Sequence, residues 1–273
     1  MKSTFSRALL LIAMVVTYLF LLVPLIVVIG ASFDGAAQTY FRFPPQELSL
    51  RWYYELPARY WQSLGFSFII AFIAAAISTL IGTLAALGIA RGSLGGSASL
   101  ETYFRFPLQV PFVVTGVVFL QFYYLLFDVI GINLLGTIWG FVIAHAFFCI
   151  PYSVGAVGSM VTPSLDQIEQ AARIAGATER RVFQRITLPA LMPGLFSGFF
   201  FGFIVSFGDV PVSVFLSAGG AVPLPVEIFQ TLQFDYDPTT LAISSIVVVI
   251  SSIFIVGTQR IVGLNIVLPS SKR

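Results

Sequence analysis

Three residues with reactive or ionisable side chains stand where the surrounding sequence is almost wholly apolar: His145, Cys149 and Asp209. His145 and Cys149 are four residues apart, so on a helix they share a face, the placement a thiol nucleophile and its base would need. Nothing nearby orients or activates them, which argues against an intramembrane enzyme. They are the only histidine and the only cysteine, which excludes a multi-histidine metal site, an intrachain disulfide and a thiolate cluster. His145 is left with an interhelical hydrogen bond or a place on a permeation path, and Cys149 with the role of a small buried residue. Asp209 sits in VSFGDVPVSVF, between Gly208 and Pro211, both of which weaken a helix. An acid inside an apolar run is costly and faces a bundle interior or a wet cavity. Two roles stay open for it, a contact on a solute pathway or a bond to neighbouring backbone or a partner subunit. Ser206, Tyr152, Tyr123 and Gln121 are further polar candidates for the same lumen.

A second set of polar residues is gathered in one stretch, SLDQIEQAARIAGATERRVFQRITLPALMP, from Ser164 to Pro193. Ser164 and Gln167 fit a capping box that starts a helix, with Asp166 in its first turn, and Gly176 ends it. Thr178 can cap a second short helix beginning at Glu179, while Pro189 and Pro193 bracket the return to apolar chain. The bent pair places Ile168, Ala171, Ala172 and Ala175 on one face and Val182, Phe183 and Ile186 on another, with Arg173, Arg180, Arg181 and Arg185 elsewhere. Small apolar faces in a basic surface suit docking to a protein partner.

The elements that position these residues follow from composition. With 58% hydrophobic and 10% charged residues, the chain lies outside soluble globular usage and reads as an all-α integral membrane protein. Six runs are long enough to cross the hydrocarbon core, at about 8–32, 61–90, 104–127, 136–161, 191–217 and 240–264, in a single transmembrane domain with the polar loop at 162–190. The first run is too long for a cleaved signal core and reads as a signal anchor. If the N-terminus is cytoplasmic, eleven of the fourteen basic residues are too; only Arg42, Arg51 and Arg59 fall outside. Both termini and the arginine-rich loop are therefore expected inside. Asp128, Glu227, Asp235 and Asp237 give the outer mouth a negative character that favours cations. Residues 33–60, rich in proline and aromatic residues, read as an interfacial belt with a short surface helix, or as a docking ledge. Residues 92–103 read as a flexible turn. Gly194, Gly198 and Gly202 form overlapping small-residue repeats for close helix packing. No GxxxxGK[ST] loop is present, so this chain has no visible means of binding ATP.

The stretch after Gln170 resembles the EAA loop of binding-protein-dependent importers of the ATP-binding-cassette class: Glu-Ala-Ala, three residues, Gly, nine residues, Ile, one residue, Leu-Pro. Ala171, Ala172, Gly176, Ile186, Leu188 and Pro189 match at the right spacing. Gln170 stands where the family has its acid, and Glu169, one residue earlier, is a candidate substitute. The stretch around Asp209, followed by VPLPVEIFQTLQF and DPTTLAISS, is similar to the second permease subunit of spermidine and putrescine importers, although one acid of their usual pair is replaced by Gly208.

The resemblance implies a bacterial inner-membrane permease, not itself an enzyme, forming half of a translocation path. Its implied partners are a second, related permease chain, an ATPase dimer that binds ATP and magnesium, and a soluble binding protein; no nucleic acid is involved and the chain itself carries no cofactor. Glu169, Gln170, Ala171, Ala172, Arg173, Gly176, Ile186, Leu188 and Pro189 would couple to the ATPase. The implied solute is a polyamine or related amine, with opines, amino-acid-like compounds, phosphonates and ferric iron as alternatives. A rival from another class, a secondary transporter working alone, needs more intramembrane charge than one acid and one histidine and leaves the arginine-rich loop unexplained.

Overall fold

A computed structural model describes residues 2–36, 40–92, 97–234 and 237–262. Twelve α-helices are described: α1 Lys2–Ala31, α2 Arg51–Tyr54, α3 Ala58–Arg91, α4 Ser97–Arg105, α5 Phe112–Ile130, α6 Ile138–Gly158, α7 Pro163–Ile174, α8 Glu179–Val182, α9 Leu188–Phe207, α10 Ser213–Leu216, α11 Leu224–Phe234 and α12 Thr239–Val262. α1, α3, α5, α6 and the continuous rod Glu179–Phe207 are long and apolar enough to cross a membrane. A shorter apolar helix, Thr239–Ile253, lies within α12. In a medium without water only a helix satisfies its own backbone, which is why such runs adopt this form.

The described residues divide into two compact units, one formed by the chain up to Trp61 and from Ile228 on, the other by Gln62–Glu227. In the first, α12 packs on α1 and α2. The Tyr53 hydroxyl bridges Ser32 and Ser245, 2.6 Å from each, Tyr60 meets Thr240 at 2.9 Å, and Trp52 donates to the Asp34 carbonyl at 2.6 Å. The aromatic loop is thus partly turned inward, and α2 is the short helix expected there.

The second unit is built on α6 packed against α9. The glycine repeats make this approach possible: a Cβ on Gly198 would lie 2.9 Å from the Cα of Ser153, and one on Gly194 2.8 Å from the Ala156 carbonyl. Gly202 faces Ser78 and Ala75 of α3. One core cluster joins Ile70, Tyr123, Phe141, Phe148, Val212 and Leu216. A second, formed by Ala86, Val157, Leu165 and Leu191, seats α7 on the ends of α3, α6 and α9.

Three boundaries differ from expectation. The turn expected at 92–103 contains α4, whose Glu101 and Arg105 pair one helical turn apart at 2.7 Å. The third span begins only at Phe112, because Pro107 opens a tight 3₁₀ turn over Phe106–Gln109 and Pro111, with non-helical backbone, is the N-cap of the helix that follows. The fifth span, expected over about 191–217 with a weak point at Gly208 and Pro211, stops at Phe207, so that Gly208 and Asp209 lie in a full break and α10 resumes beyond Pro211.

Candidate functional site

The polar loop forms an elbow. Its first helix starts one residue before the expected capping box: Thr162, not Ser164, accepts from the Leu165 N–H at 3.4 Å, and Pro163 occupies the first turn, where its missing N–H costs nothing. Gly176 ends α7 in the left-handed region, φ 85°, with the Ala177 N–H bonded to the Ala172 carbonyl and the Gly176 N–H to that of Arg173. This paired closure needs a residue that tolerates positive φ.

The second arm departs from expectation. Thr178 makes no side-chain cap, and α8 does not end before the membrane. It runs through a π-turn, Phe183–Thr187, in which the Leu188 N–H reaches the Phe183 carbonyl, straight into α9. That wider turn lets Pro189 enter without breaking the rod, and Pro193 is carried inside α9.

Glu169 lies 2% exposed at the inside of the elbow. Its Oε1 accepts from Arg91 Nη2 at 2.6 Å and from Thr187 Oγ1 at 2.5 Å, and its Oε2 from Arg173 Nη2 at 3.4 Å. Arg173 also donates to Glu179 at 2.7 Å and 3.2 Å, bonds that raise its pKa and keep it cationic. The outer face is left open: Ile168, Ala171, Ile174 and Ala175 are exposed, Ile174 at 89%, beside the exposed Gln170, Arg180 and Arg181. Of the second apolar face, Val182 is buried and Phe183 exposed.

At the other end of α9 lies a buried polar chain. Asp209 Oδ2 accepts from the Ser213 N–H at 2.8 Å and from the Ser213 hydroxyl at 2.9 Å, while Oδ1 has only the Val212 N–H at 3.5 Å. The aspartate therefore caps the helical turn that resumes after the break. Because Ser213 gives its proton to Asp209, its oxygen accepts from His145 Nε2 at 3.0 Å; Nδ1 is then the acceptor for the Ser206 hydroxyl at 2.7 Å, the arrangement of a neutral imidazole. His145, on α6, so grips both sides of the break, Ser206 before it and Ser213 after it.

A family model described as a binding-protein-dependent transport system inner membrane component matches residues 78–265, well over half of the chain. The chain belongs to this family. Among its relatives, the spermidine/putrescine transport system permease protein PotC of Haemophilus influenzae is 30% identical over 92% of this chain and 95% of its own. The putrescine transport system permease protein PotI of Escherichia coli is 30% identical over 77% and 75%. The solved MetNI methionine ABC transporter, in inward-facing conformations, shares the fold at a TM-score of 0.58 and 20% identity, over 79% of this chain and 98% of that one. The protein is accordingly an inner-membrane permease component of an ATP-binding-cassette importer.

Within the permease, the residues singled out from sequence fall into two groups. Asp209, Ser206 and His145 come together; Tyr152, half-buried on α6, and Gln121, exposed on α5, do not join them. Tyr123 is buried and donates to the Gly140 carbonyl at 2.7 Å, tying α5 to α6. In the elbow, Gln170 and Ala171 face outward, as does Arg173 in part, while Glu169 and Ile186 face the spans. Glu169 is committed to its own chain and does not project where Gln170 does. Two participants escaped sequence reading. Arg91 registered only as a topology charge, its partner Glu169 lying 78 residues away; Ser213 was one hydroxyl among many, and although Asp209 is only four residues before it, its link to His145 spans 68 residues.

Proposed function

We propose that the permease forms half of a translocation path for a polyamine or a related small amine-bearing solute, and that its elbow is the surface gripped by a separate ATPase dimer. The observation that carries this reading is the open face of α7, where Ile168, Ala171 and Ile174 are exposed beside arginines on a chain otherwise made for lipid. An apolar patch of this kind, rimmed by charge, marks a protein partner. Placement of the Arg91 end of α3 beside the elbow agrees with a cytoplasmic side for both, and hence with cytoplasmic termini. A second, related permease would complete the path and a soluble binding protein would deliver the solute, with alternating access moving the site between faces. ATP and magnesium would be bound by the ATPase.

The polyamine assignment draws on the names of PotC and PotI, and on Asp209. One of its oxygens is taken by Ser213, but Oδ1 has a single distant donor and retains capacity for an ammonium group if the break opens. Ser206 and His145 border the same place, and Tyr152 and Gln121 are proposed further along the path.

The test is Gly176→Asp in the importer reconstituted with its partners. Residue 176 has open space around it but a left-handed backbone, so the change alters the bend and not the packing. Membrane insertion is expected to be normal and ATP-driven uptake lost. Normal uptake by the variant would refute the elbow as the coupling element.

A further inference from the structure

Energy applied to α7 has an evident covalent route into the membrane, through the π-turn into α9. A route to α3 is less evident, since α3 ends 78 residues before Glu169 in sequence. We propose that Arg91 is a positioning residue for energy transduction: through Glu169 it locks the end of α3 to α7, so that a displacement of α7 is delivered to α3 and α9 together. The proposal rests on the reading that an ATPase grips α7.

The geometry supports a strut. Glu169's side chain is 3% exposed and holds one donor from each of three elements: Arg91 from α3, Arg173 from α7 itself and Thr187 from the π-turn. A carboxylate out of water interacts strongly with the cations beside it and tolerates little separation from them. Arg91's own side chain is 32% exposed, so its guanidinium closes the cluster from the solvent side. Directly beneath, Leu165 of α7 packs with Ala86 of α3, Val157 of α6 and Leu191 of α9. The apolar contact holds α7 in place; the ion pair fixes its register against α3. With Arg91 gone, Arg173 and Thr187 still satisfy Glu169, so α7 is expected to stay docked while the α3 connection slackens.

The test uses the complete importer in proteoliposomes. ATP hydrolysis and uptake of labelled putrescine are measured on one sample, and nitroxide labels at the exposed positions Ala90 and Gln167 report the separation of α3 from α7. Arg91→Gln is expected to assemble and hydrolyse ATP, with about two- to thirty-fold more ATP consumed per solute moved, the range over which residues in a coupling network act. Arg91→Lys should fall between it and the native protein. The label separation should stay constant through the ATP cycle in the native protein and vary in Arg91→Gln. A purely structural role would lower thermal stability and leave the ATP-to-solute ratio unchanged, and that result overturns the proposal. So does a native separation that changes through the cycle, an outcome readable even if Arg91→Gln does not assemble. Failure of the native permease to copurify with any ATPase overturns the reading beneath the proposal, and the proposal with it. Absent putrescine uptake with an ATPase bound refutes only the polyamine assignment, and the label separation then decides the strut.

Discussion

Asp209 can be a cap, a solute contact or both, and substitution separates the two because they respond to different losses. Both short hydrogen bonds from Ser213 go to the same oxygen, Oδ2, at 2.8 Å and 2.9 Å. In Asp209→Asn the amide oxygen can occupy that place and keep both, while the amide nitrogen replaces Oδ1, whose one contact is at 3.5 Å. What is lost is the charge. Hydrogen bonds to an ionised acceptor contribute about 1.5–3 kcal/mol against about 0.5–1.5 for neutral pairs, so the two bonds together lose about 2 kcal/mol. For a chain of this size that lowers the thermal midpoint by about 4–8 °C. Asp209→Ala leaves the Ser213 N–H and hydroxyl buried without this acceptor and should cost about twice as much. Thermal unfolding in detergent gives the order native, Asn, Ala. Uptake, measured at subsaturating putrescine and normalised to assembled complex, should fall by about tenfold or more in Asp209→Asn, the size of one lost charge-assisted contact. Equal stability of native and Asn proteins would refute the capping geometry. Unchanged normalised uptake would refute the solute contact and leave Asp209 as a cap alone.

Two further outcomes follow from packing and capping. Gly198→Ala puts a Cβ 2.9 Å from the Ser153 Cα, so α6 and α9 must part; thermal unfolding should show a loss of about 1–3 kcal/mol, whereas Gly88→Ala, with nothing within 4 Å, should gain about 0.5–1 kcal/mol. Thr162→Ala should cost about 1 kcal/mol through loss of the α7 cap, seen as faster amide exchange over the first turn of α7, and Ser164→Ala should leave that turn as protected as in the native protein.

How legible these features are in sequence depends on how local their causes are. Gly176 ended a helix as its spacing suggested, because a left-handed closure is decided within six residues. The glycine repeat of α9 announced close packing, although only the structure shows Ser153 and Ala156 as what it meets. Prolines misled in both directions. Pro107 and Pro111 delayed the third span, while Pro189 and Pro193 did not interrupt the fifth: a π-turn precedes the first, and the second lies inside α9 next to Gly194, which packs on α6. No one-dimensional pattern distinguishes these outcomes, because the decision is made by neighbours. The same holds for His145: its apolar flanks suggested a hydrogen bond across helices, but not that it would hold two serines on either side of a break.

The two irregular points of the rod have a common logic. A helix in lipid satisfies its own backbone, so any π-turn or break creates groups that side chains must serve. At the break Asp209 takes the Ser213 N–H, while at the π-turn Thr187 gives its hydroxyl to the Glu169 carboxylate. Two of the three buried acids among the described residues, Glu169 and Asp209, stand at these joints, one at each end of α9; the third, Asp34, follows α1. A continuous helix between two polar joints, packed glycine-close on α6, can tilt or shift as one body while its ends re-pair. That is the behaviour the proposed function asks of α9, with Glu169 at the end meant for the ATPase and Asp209 at the end meant for the solute.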